Sequence, residues 1–190
     1  MAKVLVGAEG KTAADLDELD SRQTDFISEK LEGLLNDQVS YEMYSAYLYF
    51  MVAAWCQSKG LTGFERWFKK QGDDEIVHAM KVYKHLVDTG SSVTLPAIPS
   101  PVGVVKFATM ADATRAVLDH EMTVTKKWQV IGEMVKKESN LATQNLAQWF
   151  AVEQVEEEDA AVTLHQKVQL AEGGAGLLVI DAELRGVGPV

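Results

Sequence analysis

Four segments of this chain, approximately 28–57, 62–90, 108–138 and 141–171, carry an apolar seam at alternating spacings of three and four residues, and every seam holds one glutamate. The first seam reads Leu35, Val39, Glu42, Ala46, Tyr49, Ala53, and the second Phe64, Phe68, Gln71, Glu75, His78, Val82. The third reads Val117, Glu121, Val124, Trp128, Ile131, Val135, and the fourth Phe150, Gln154, Glu157, Ala161, Leu164, Val168. That period demands four long helices packed side by side. Each glutamate lies near the middle of its helix, so packing brings four carboxyls to similar depth. A single seam glutamate ordinarily reaches out to water. Four together lose solvation and repel one another, so most would hold protons unless cations joined them. No Lys or Arg lies in these seams to neutralise them. A pair of divalent metal ions would.

The connections set the topology. Ser28 is a good N-cap for the first helix, and Gly60 ends it. The second starts after Thr62 and ends near Thr89-Gly90. Ser139-Asn140 breaks the third helix and caps the fourth, which Gly173-Gly174 is expected to stop; a short fifth helix is expected over 176–186. Helices one and two, and three and four, are therefore antiparallel neighbours. The segment 91–103 contains Pro96, Pro99 and Pro101, has no helical period, and is long enough to cross the bundle. The expected fold class is all-α: a ferritin-like four-helix bundle with one long crossover and a short fifth C-terminal helix. Residues 1–27 read as an N-terminal extension, with a short helix near 13–20 capped by Thr12. Residues 28–190 read as the bundle domain.

Composition excludes several classes of function. Hydrophobic residues make up 47% of the chain, enough for a substantial core. The net charge of −10 argues against nucleic acid or an anionic membrane as partner, since both are polyanions. Cys56 is the sole cysteine, which rules out an intrachain disulfide and CxxC metal sites. No apolar run is long enough to span a bilayer, and the N-terminal apolar stretch is too short for a signal peptide. The expectation is a soluble, cytoplasmic protein.

His78 follows Glu75 by three residues, so both side chains point to one helix face and can reach one ion. Alone, His78 would read as a satisfied core histidine, and Tyr49 and Trp149 as packing aromatics. Glu-x-x-His joined by carboxylates from other helices is the ligand set of di-iron carboxylate bundles. Oxygen-rich donors with one imidazole suit iron or manganese better than copper.

Across 28–187 the chain resembles the bacterial-type, non-haem ferritins. The segments that carry the resemblance are YEMYSAYLY (41–49), DDEIVHAM (73–80), DHEMTV (119–124), QWFAVEQVEEE (148–158) and GLLVIDAELRG (176–186). The resemblance implies that Glu42, Glu75 and His78 hold a first iron, and that Glu75, Glu121 and Glu157 hold a second, with Glu75 bridging. It implies that Gln154 sits beside the second iron. Tyr49 would donate an electron or a hydrogen bond during oxygen reduction, with Trp149 as its redox neighbour. A third iron site is implied at Asp74, Glu153 and Glu156; a plain solvated acidic run is the other reading of the residues after 152. Haem is not expected, because Ile76 stands where bacterioferritins carry their haem-ligating methionine. Self-assembly into a hollow homo-oligomeric shell of roughly two dozen subunits is implied, with the fifth helix around the fourfold axis. Gln144 and Ala147 occupy the positions where animal ferritins place pore-lining acids, which leaves iron's route into the shell open.

The resemblance thus implies an iron-storage ferroxidase, taking Fe(II) and O2 or H2O2 as substrates and keeping ferric mineral in the shell. Two rivals stand beside it. One is a carboxylate-bridged di-iron oxidase or oxygenase acting on an organic substrate. The other is a non-catalytic helical-bundle interaction protein whose acids face water.

Overall fold

The computed structural model describes residues 26–102, 106–171 and 173–186. They form five helices: α1 (Glu29–Ser58), α2 (Thr62–Asp88), α3 (Met110–Glu138), α4 (Leu141–Leu170) and α5 (Gly173–Arg185). The expected short helix near 13–20, and nearly all of the N-terminal extension, lie outside the described residues.

The helix ends follow local chemistry. Ser28 Oγ accepts the Leu31 N–H at 3.1 Å, and Asn140 Oδ1 accepts the Thr143 N–H at 2.9 Å. Each satisfies one of the amides that a helix start leaves unpaired. Ser139 closes α3 in the left-handed conformation, φ 52°. A capping box between Thr109 and Asp112 opens α3. One boundary differs from the expectation. Gly173 begins α5 rather than stopping α4, which already ends at Leu170 with Ala171 as its C-cap. With φ +71°, Gly173 makes the sharp turn between the two helices that only glycine makes without strain.

Two tight hairpins, α1–α2 and α3–α4, pack together chiefly through α1 and α3. The link between them includes residues 89–102 and 106–109. Asn36 of α1 pins it: its amide donates to the Ser92 carbonyl at 2.9 Å and accepts the Thr94 N–H at 2.6 Å. Glu32 adds a bond to the Ser92 N–H.

The apolar core is in two parts. Leu31, Leu35, Val82, Val124, Ile131 and Phe150 belong to one; Val52, Phe64, Phe68, Val117, Leu164 and Val168 belong to the other. Along every long helix the seam glutamate falls between the residues of these two parts. The fold therefore holds a polar layer between two dry ones. Every seam residue is buried as expected except Gln71, which is half-buried.

Helix α5 is fixed by a contact between residues far apart in sequence. The N-cap of α2 is Leu61, which has no side-chain acceptor to offer. Asp181 of α5 fills the role: its buried Oδ1 accepts the Gly63 and Phe64 N–H groups at 2.7 and 3.1 Å. Arg185 pairs with the other carboxylate oxygen at 3.1 Å. A Cβ on Gly63 would sit 1.8 Å from the Asp181 carbonyl oxygen, so only glycine permits this approach. Gly63→Ala is expected to cost about 1–3 kcal/mol, as overpacking does, and to loosen α5. Faster amide hydrogen exchange confined to 173–186 would show it. Unchanged protection there would refute the coupling.

Candidate metal centre

The polar layer gathers side chains from all four long helices. Glu42 comes from α1, Glu75 and His78 from α2, Glu121 from α3, and Gln154 and Glu157 from α4; all are buried. Two sets of ligand atoms lie within 4.8 Å of one another, Glu42–Glu75–His78 and Glu75–Glu121–Glu157. Glu75 belongs to both. His78 Nδ1 lies 3.2 Å from Glu75 Oε2 and 3.4 Å from Glu157 Oε1.

Hydrogen bonds orient the acids from behind. Tyr49 donates its hydroxyl to Glu121 Oε1 at 2.6 Å. The Gln154 amide reaches Glu121 Oε2 at 3.5 Å and Thr125 Oγ1 at 3.3 Å. Glu42 Oε1 accepts from Gln38 Nε2 and Trp128 Nε1, both at 2.9 Å. Within this layer, three carboxylate oxygens are left buried without a hydrogen-bond partner: Glu42 Oε2, Glu75 Oε1 and Glu157 Oε2. One acceptor on each of three converging acids is thus unused, a costly arrangement unless something else binds there.

Electrostatics point the same way. Burial pushes the Glu157 carboxyl up to about 10, with repulsion from Glu121 adding to it. Burial raises Glu121 to about 7, against the lowering effect of the Tyr49 hydrogen bond. Glu75 is raised well above the ordinary range by burial and by Glu42, and Glu42 is raised by burial despite its two N–H donors. Ion-free, the layer keeps protons at neutral pH that a cation would displace. Oxygen donors with a single imidazole form a hard donor set, fitted to iron or manganese.

This geometry accompanies a family match: residues 32–171 match the ferritin-like domain family. The chain belongs to the ferritin family. It is 33% identical over 162 residues to a probable bacterial non-haem ferritin-like protein of Haemophilus influenzae, covering 83% of this chain and 95% of that one. A bacterial non-haem ferritin of Bacteroides fragilis is also 33% identical, over 159 residues, covering 83% and 98%. Among solved structures, an open-pore ferritin from the archaeon Archaeoglobus fulgidus superposes with a TM-score of 0.80. It shares 37% identity, covering 87% of this chain and all of that one. The ferritin fold accounts for the five helices and the single crossover.

The residues expected from the ferritin resemblance divide by place. Glu42, Glu75, His78, Glu121, Glu157, Tyr49 and Gln154 come together in the polar layer. Of the three acids assigned to a third site, Glu153 approaches it, with Oε1 3.6 Å from His78 Nε2, and forms a further group with His78 and Glu157. Asp74 is paired with Lys70 at 2.6 Å, and Glu156 is exposed and in none of these groups. The rings beside Tyr49 are Phe68, at 6.3 Å, and Trp67, edge-on at 6.5 Å. Trp149 packs instead against His78, at 5.6 Å, because it lies on the side of α4 that meets α2. Sequence reasoning missed Gln38 as a partner of Glu42, although a glutamine four residues before a seam acid on a helix was a usable signal.

Proposed function

We propose that this chain is an iron-storage ferritin subunit that oxidises Fe(II) at an intrasubunit di-iron site and assembles into a hollow shell. The observation that carries the reading is the convergence of four buried carboxylates and one histidine, three of the acids with an unused oxygen. Fe(II) is the substrate. Glu42, Glu75 and His78 would hold one ion, and Glu75, Glu121 and Glu157 the other, with Glu75 shared. Iron supplies the electrons for reduction of O2 or H2O2, and no haem is needed.

The remaining chemistry belongs to the chain. Fe(II) uptake displaces the protons that burial keeps on Glu157, Glu121, Glu75 and Glu42. Once ionised, these acids favour the more highly charged ferric state. Tyr49 holds Glu121 in place and keeps its own proton, because burial and the neighbouring Glu121 raise its hydroxyl well above the ordinary range. Gln154 supports Glu121 from the opposite oxygen. Glu153, next to His78, would offer the oxidised ions a first step away from the site. No helix among the described residues is long and apolar enough to cross a membrane. The reading places the protein in the cytoplasm, with a shell of roughly two dozen copies as its working form.

The decisive experiment adds Fe(II) aerobically to ion-free protein, follows ferric absorbance, and then sizes the particle. Rapid oxidation by a large hollow assembly that retains iron is the expected result. Oxidation by a small oligomer with no mineral would favour the oxidase reading. Absence of stoichiometric iron binding would sink both. Tyr49→Phe is expected to slow oxidation about tenfold, within the range for outer-shell partners of metal ligands, while Fe(II) binds with unchanged stoichiometry. Lost binding sites would instead place Tyr49 among the ligands.

A further inference from the structure

Glu42 differs from the other acids in how it is held. Both N–H groups that meet it converge on Oε1, from Gln38 one turn earlier on α1 and from Trp128 across the bundle on α3. A carboxylate oxygen has two principal lone-pair directions, and here both are taken. Its other oxygen, Oε2, is buried and unpartnered. Indole N–H is a donor only, so Trp128 cannot turn round to serve as an acceptor. All three side chains are nearly inaccessible, at 1% for Gln38 and Glu42 and 4% for Trp128.

Trp128 also reaches the opposite member of the same ligand group. Its ring stacks on Phe150, with centroids 3.7 Å apart and planes 12° from parallel. Phe150 in turn meets the His78 ring edge-on at 5.8 Å. One side chain therefore supports Glu42 through a hydrogen bond and His78 through a stacked ring. Glu121 has a separate set of supports, Tyr49 and Gln154.

Resting on the di-iron reading above, we propose that Gln38 and Trp128 are positioning residues for the first half of the site: they occupy Glu42 Oε1 so that Oε2 alone is presented to the ion shared with His78. Their loss weakens that half-site selectively and leaves the Glu75–Glu121–Glu157 half intact. Trp128→Phe keeps an aromatic ring to stack on Phe150 and removes the N–H. Gln38→Met keeps approximate length and removes the amide. Neither touches an ion in this arrangement.

The test is anaerobic Co(II) titration of ion-free assembled protein, read by calorimetry and by the visible ligand-field spectrum, with thermal unfolding as a control on folding. Wild type should take up two ions per subunit. Each variant is expected to bind one ion at wild-type strength and the other about 10–100-fold more weakly, with an altered spectrum for the weak ion. Equal weakening of both ions would mean a general packing defect and overturn the proposal. So would wild-type affinity and spectrum in both variants. If Trp128→Phe proves unstable, Gln38→Met decides alone, since it leaves the stacked rings untouched. Wild-type protein that takes up no Co(II) would overturn the di-iron reading itself, and this proposal with it.

Discussion

Glu75→Ala is expected to lower the initial rate of aerobic Fe(II) oxidation by more than about 100-fold while the subunit still folds and assembles. Outer-shell substitutions around metal ligands typically cost 10–100-fold, and Glu75 is one step closer to the ions than those. It is the residue common to the Glu42–Glu75–His78 and Glu75–Glu121–Glu157 groups, so its removal affects both half-sites at once. Folding should survive because the carboxylate contributes little to the core. Its Oε1 is buried without a partner, and burial together with Glu42 raises its affinity for a proton. Removing it leaves a cavity but also relieves repulsion among the remaining acids. Glu75→Gln, nearly identical in shape, separates these effects: it should be as inactive as the alanine variant and at least as stable as wild type without ions. An initial rate within a few-fold of wild type in either variant would show that the bridging assignment is wrong.

The polar layer was legible in the sequence because it obeys a local rule. A period of three and four fixes the buried face, and a glutamate that falls on that face is placed whether or not its partners are known. Glu42, Glu75, Glu121 and Glu157 follow from that rule, and so do the Ser28 and Asn140 caps, whose partners lie three residues away. What escaped was pairing across the chain. Asp181 capping α2 spans 118 residues, and the Trp128 bond to Glu42 spans 86. Neither has a local signature, since an aspartate in a short C-terminal helix and a tryptophan in a seam both read as ordinary. Trp149 fails for a related reason. Its proximity to Tyr49 cannot be read from either helix alone, and the rotation of α4 turns it toward His78 while Trp67 and Phe68, on α2, take the place beside Tyr49. The pairing of Asp74 was legible, because Lys70 lies four residues earlier on the same helix.

Ion-free protein is expected to become less stable as pH rises from 6.5 to 8.5, and saturating Zn(II) is expected to remove most of that slope. The sign follows from proton counting. In the unfolded chain Glu157 titrates near the ordinary 4.5, whereas in the fold it holds its proton up to about 10. The folded state therefore binds more protons throughout this window, and its stability falls as pH increases. Glu121, raised to about 7, adds to the loss at the lower end of the window, and Glu42 and Glu75 shift in the same direction. Below 6.5 the buried His120 opposes the trend. Burial lowers it to about 4, so there the unfolded state takes the extra proton. His85, lowered by burial as well, acts in the same sense, and both fade from 6.5 upward as the unfolded imidazoles lose their own protons. Each fully responsive group contributes at most about 1.4 kcal/mol per pH unit, so Glu157 alone accounts for up to about 2.7 kcal/mol across the window. A divalent ion does the proton's work at any of these pH values, so the loaded protein should show a higher and flatter unfolding temperature. Glu157→Gln should flatten the ion-free profile in the same way without any ion present. A profile that rises with pH in ion-free wild type, or a slope untouched by Glu157→Gln, would mean that these carboxyls are solvated rather than confined between the two halves of the core.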